Sequence, residues 1–190
     1  MRNVYFHPMF HVWKDEQYCK GVRSLLVDLR EEMKNGDLSE SDMSKAQTLE
    51  MNMLKGTSMD LFNSYWNHVT YQLRRIGSFN KVYLEGICNN DLDKEFIGEH
   101  FGKEGLGIAI NYLIKQGSEF RQAELSLFNK IRRQRGFGSQ VGHRMAETYL
   151  ADNIKDDLKE DERGLILFGN KHRENIVRKL RFRNINAIII

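Results

Sequence analysis

Apolar residues recur along this chain with two different periods. Over residues 16–34, Val22, Leu25, Leu26, Leu29 and Met33 repeat at three- and four-residue intervals, the signature of one helix face; Asn35-Gly36 ends it. Met43, Ala46, Leu49, Met53 and Leu54 mark a second helix, capped by Ser39 or Ser41 and broken at Gly56. A third starts at Thr57 or Ser58 and turns Leu61, Phe62, Tyr65, Trp66, Val69, Leu73 and Ile76 inward before Gly77. Further helices are predicted over 104–116, around Leu125, Phe128 and Ile131, and over 143–159, where Met145, Tyr149, Ile154 and Leu158 form the inward row.

Between the helices lie short apolar runs of strand length. Residues 3–6 form one, closed by His7-Pro8 because the residue before a proline leaves helical space. Residues 82–84 form a second and 118–122 a short third. The closing stretch, GLILFGNKHRENIVRKLRFRNINAIII, reads as strand, turn, helix from 173 to 182, a break at Asn184, and strand. Strands alternating with helices predict an α/β fold: a mostly parallel sheet flanked by helices, with residues 39–77 as a two-helix insertion after the first strand–helix unit. All 190 residues then make a single domain.

In such a fold ligands bind at the carboxyl ends of the strands. The predicted strands deliver His7, with His11 close by, then Glu85, then Glu119 or Glu124, then His172; Arg144 opens the helix at 143. Histidine and glutamate can hold a metal, or glutamate can act as base towards a water. Arginine can steady an oxyanion. Each residue has a plainer role. His7 can be a turn residue, His11 lacks a helical partner because Pro8 intervenes, Glu124 can complement a helix dipole, and Arg144 can be a solvated side chain. Glu85 has the fewest alternatives, since a carboxylate ending a buried strand needs a partner or a task. His172 sits where a cation opposes the helix dipole, so neutral imidazole is the expected form. His68 and His100 are expected to be structural.

Composition narrows the classes. Two cysteines, Cys19 and Cys88, make no disulfide framework and favour a cytoplasmic setting. No apolar run approaches the roughly 18 residues of a membrane span, so no membrane partner is expected. Net charge is +3, and the basic run at Arg132, Arg133 and Arg135 is short, which ranks nucleic acid last among partners. Neither the dinucleotide fingerprint, the phosphate-binding loop nor the serine nucleophile elbow occurs in the sequence.

YFHPMFH, VYLEG and ILFGNKH, with HRMAETYLADNI and GLGIAINYLIKQG between them, are spread over nearly the whole chain. In that order they resemble the erythromycin-esterase/ChaN/TraB-like superfamily, which includes the Tiki proteases. Tyr5-Phe6 stands where that family carries Gly-Glu or Gly-Thr. The resemblance implies a parallel-sheet fold and carries catalytic roles to Glu85, His172, Arg144 and Glu124. It carries metal-ligand roles to His7, His11, His172 and Glu85. It implies a hydrolase, of esterase or metal-dependent peptidase type, acting on a small-molecule or peptide substrate with a divalent metal as cofactor. The alternative within the same fold is a non-catalytic haem-like ligand binder or signalling protein. Homo-oligomerisation is left open.

Overall fold

The computed structural model describes residues 2–9, 58–87, 97, 102–125, 127 and 140–190. The helices expected over 16–34 and 39–55, His11, and the basic run 132–135 lie outside them. The described elements run β1 (Asn3–Met9), α1 (Ser58–Ile76), β2 (Lys81–Leu84), α2 (Leu106–Lys115), β3 (Glu119–Arg121), α3 (Gln140–Asp157), β4 (Arg163–Gly169), a 3-10 turn (Asn170–His172), α4 (Arg173–Arg181) and β5 (Asn186–Ile189). The five strands form one all-parallel sheet in the order β3-β2-β4-β1-β5. This is the expected α/β class, and α1 falls within the residues 39–77 expected as a helical insertion.

Two compact units divide the chain: residues 1–9, 78–97 and 113–190 in one, 10–77 and 98–112 in the other. In the second, α1 buries Tyr65, Trp66, Val69 and Leu73, as its periodicity predicts. His68 is buried there too, and burial pushes its imidazole down to about 4. Asn63 accepts the Gly105 N–H at 2.6 Å, just ahead of α2, and Arg74 lies over the Tyr112 ring.

The sheet makes up the core of the first unit. β4 lies between β2 and β1, and residues 164–169 are all buried. A central parallel strand is covered on both faces, so it reads as an unbroken apolar run. Gly164 is required by close approach: a Cβ there would stand 3.2 Å from Leu158 Cδ2 and 3.4 Å from Val4 Cγ2. On one sheet face Val4, Phe6, Tyr83, Ile166 and Phe168 pack against Leu150, Ala151 and Ile154 of α3 and Ile176 and Leu180 of α4.

Two expectations change. β1 runs on through His7 and Pro8 to Met9. The carbonyls of Arg2 and Phe6 accept from Asn186 and Ile190, so by the alternation of a strand the Pro8 nitrogen also faces the β5 side. The paired register with β5 ends at Phe6, so at Pro8 that side is an edge, where a missing N–H is tolerated. β1 lies between β4 and β5, the two strands of the closing unit. The inward row of α3 differs from the predicted one in its first half, while Ile154 and Leu158 are buried as expected. Met145 is exposed and Tyr149 half-buried, whereas Gly142, Ala146, Glu147, Leu150, Ala151 and Ile154 face inward.

The far end of α3 is tied to the sheet by charge. The Asp157 carboxylate accepts from Arg121 Nε at 3.0 Å, Arg121 Nη2 at 2.5 Å, Tyr83 Oη at 2.9 Å and Lys81 Nζ at 3.2 Å. Lys81 also reaches Glu162 Oε2 at 3.1 Å. Burial alone would raise the Asp157 carboxyl, but the bonds from Arg121, Tyr83 and Lys81 outweigh it and hold the group below its ordinary value. Burial, with the Asp157 charge beside it, pushes the Tyr83 hydroxyl well above its ordinary range.

Candidate functional site

β2 and β4 are neighbours, and their carboxyl ends bring two predicted site residues together. Glu85 directly follows β2, its N–H bonded to the Leu167 carbonyl, and Gly86 turns the chain away at φ 91°. A side chain with a Cβ is strained at that angle, which accounts for glycine there. Glu85 Oε2 accepts the Gly169 N–H at 2.7 Å. This bond aims the carboxylate across the end of β4, towards the 3-10 turn that carries His172. Oε1 then lies 3.8 Å from His172 Nε2. That is an ion-pair distance for a protonated ring, and longer than a hydrogen bond.

His172 is held on its other side. Its Nδ1 lies 2.9 Å from Glu147 Oε1, and both side chains are 2 % exposed. Asn175 Nδ2 approaches the same oxygen at 3.4 Å. The edge of Phe168 packs on the imidazole, with ring centres 5.3 Å apart, and the His143 ring lies 4.7 Å away. A carboxylate, an imidazole and a second carboxylate thus line up from the protein interior outwards. Glu85, 13 % exposed, is the member that meets solvent.

The remaining predicted residues are placed elsewhere or at the margin. His7 pairs in register with Leu167, one residue along from Phe6, so the pleat turns it to the sheet face opposite Phe6 and Phe168. Its Nδ1 lies 3.2 Å from the Ile190 carbonyl. Glu124 is buried in a loop after β3, and its N–H bonds to the Ile87 carbonyl, two residues beyond Glu85. Arg144 is exposed in the first turn of α3. No family model matches this chain, and neither does any curated protein or solved structure.

The described residues do not fit a metal. Nδ1 of His172 is taken by Glu147 and His7 lies on the other sheet face, so among the described predicted ligands only His172 Nε2 and Glu85 Oε1 converge. Among the described residues no three His, Cys, Asp or Glu side chains are placed to hold an ion. Among the same residues no helix is long and apolar enough to cross a membrane.

Glu147 is the site residue that sequence reasoning missed. The signal was present: 147, 150, 151, 154 and 158 are spaced as one helix face. A glutamate in an otherwise apolar row needs a buried partner, and His172 is that partner.

Proposed function

We propose that this chain is a hydrolase of the erythromycin-esterase/TraB-like kind, cleaving an ester or peptide bond in a small-molecule or peptide substrate. Glu85 and His172 form its acid–base pair. The observation that carries this reading is the approach of His172 Nε2 to Glu85 Oε1 at the ends of adjacent parallel strands. Glu85 meets solvent and so takes the proton from an attacking water, whose oxygen bonds to the acyl carbon. The buried imidazole behind it accepts that proton and shares its return to the leaving oxygen or nitrogen. Water thereby supplies hydroxide to the acyl fragment and a proton to the leaving group, with no other reactant needed.

The test is turnover on a panel of aryl esters and peptides by the wild type, Glu85→Gln and His172→Ala. Glu85→Gln keeps the shape and removes the basic oxygen, so turnover should fall by roughly 100-fold or more with the unfolding midpoint close to wild type. His172→Ala should be comparably impaired. Full activity in both variants, or a wild type that turns over nothing on the panel, would refute the assignment.

A further inference from the structure

The acid–base role proposed for His172 depends on which ring nitrogen carries the proton, and the surroundings of the ring decide that. We propose that Glu147 is a positioning residue: it fixes His172 in the tautomer with the proton on Nδ1, which makes Nε2 the basic atom facing Glu85. Glu147 Oε1 lies 2.9 Å from Nδ1, a hydrogen-bond length. As a carboxylate Glu147 can only accept, and the proton then sits on Nδ1. Nε2 makes no hydrogen bond among the described residues and lies 3.8 Å from Oε1 of Glu85. The lone pair left on Nε2 is thus presented to the one carboxylate that reaches solvent.

Ring orientation is set by the same contacts. Phe168 packs edge-on against the imidazole and His143 lies beside it, so the ring cannot flip without displacing both. Glu147 is itself anchored. It sits on the inward face of α3 between Ala146 and Leu150, both fully buried, and Asn175 of α4 comes no nearer to its Oε1 than a marginal 3.4 Å. When His172 takes a proton from Glu85, the Glu147 charge balances the imidazolium in a site too buried for water to do so. Glu147 does not accept the proton, because the return path to the leaving group runs through Nε2. Three segments distant in the sequence (the end of β2, the middle of α3 and the turn after β4) meet to give one oriented base.

The experiment combines spectroscopy with kinetics on the whole chain. Histidine-labelled protein is examined by long-range 1H–15N spectra, with the His172 signals assigned from their loss in His172→Ala. Wild-type neutral His172 should show a protonated Nδ1 and a bare Nε2. In Glu147→Gln the amide can donate to Nδ1, so protonated Nε2 should appear, and kcat should drop roughly 100-fold or more with KM little changed. Asn175→Ala is the structural control: it loosens the same oxygen yet should leave the tautomer and kcat near wild type. The inference is overturned if wild-type His172 carries its proton on Nε2, or if Glu147→Gln leaves the tautomer unchanged. It is equally overturned if Glu147→Gln and Asn175→Ala have equal effects. The wild-type spectrum decides the first point even if Glu147→Gln does not fold. A correct tautomer in a protein that hydrolyses nothing would sink the hydrolase reading and leave the orientation of His172 by Glu147 standing.

Discussion

Asp157→Asn is the perturbation whose size can best be worked out in advance. The carboxylate receives four hydrogen bonds, two from Arg121 and one each from Tyr83 and Lys81. Asparagine keeps the shape, removes the charge and turns one oxygen into a donor. If the amide takes the Oδ2 position it meets Arg121 Nε, donor against donor, while Tyr83 can rotate its hydroxyl to accept. Lys81 keeps Glu162 and the Asp157 backbone carbonyl. Arg121, 29 % exposed, recovers part of its hydration. One to two charge-assisted bonds are then lost without replacement, at roughly 1.5–3 kcal/mol each before that recovery. The net cost should be roughly 2–4 kcal/mol. For a chain of this size that lowers the unfolding midpoint by roughly 5–15 °C. Equilibrium denaturation of both proteins across pH checks the figure and its origin. The Asp157 carboxyl is depressed in the folded state. Its contribution is therefore fully present above the unfolded value, about 3.9, and is lost as pH falls through the lower folded value. The gap between wild type and variant should be constant at neutral pH and shrink below about pH 4. A gap under about 0.5 kcal/mol at pH 7, or one that does not narrow in acid, would show that the ion pairs do not hold α3 to the sheet.

Two further outcomes test separate parts of the fold. His68 is lowered from 6.5 to about 4 by burial, so the unfolded chain binds more protons than the folded one between those values. Stability should therefore fall as pH drops through that window, and His68→Leu should flatten the decline in denaturation midpoints there, at pH values above those at which Asp157 acts. Gly164→Ala should cost about 1–2 kcal/mol, because its methyl group would press on Leu158 and Val4. A Leu158→Val background should recover part of that loss, and additive effects in the double variant would contradict the close approach.

Much of the fold was legible because period is a local property. The apolar spacing of 65, 66, 69 and 73 marked the buried face of α1, and the runs at 82–84 and 165–168 marked buried strands before any contact was known. Asn184, at φ 57°, ends the last helical segment where a residue tolerant of the left-handed region was expected to do so. On α3, Ile154 and Leu158 are buried as their spacing predicts, but Met145 and Tyr149 are not inward. The sheet instead takes the row with Ala146 and Ala151, whose small side chains let a helix lie close to it.

Element type, the parallel α/β class and the placing of Glu85 and His172 at strand ends were determined by the sequence alone. Each depends on spacing, turn residues and the rule that parallel strands expose their carboxyl ends on one edge. Only the tertiary structure decided which strand ends are neighbours and which face each side chain takes. Strand order 3-2-4-1-5 sets β2 beside β4, and so brings Glu85 to His172. A one-residue step along the pleat sends His7 to the other face, and the rotation of α3 turns Glu147 inwards. Local period offers the candidate rows but does not choose which of them faces the sheet or the helices. Register and helix rotation are settled when distant segments compete to bury the same apolar surface, and that competition exists only once the chain has folded.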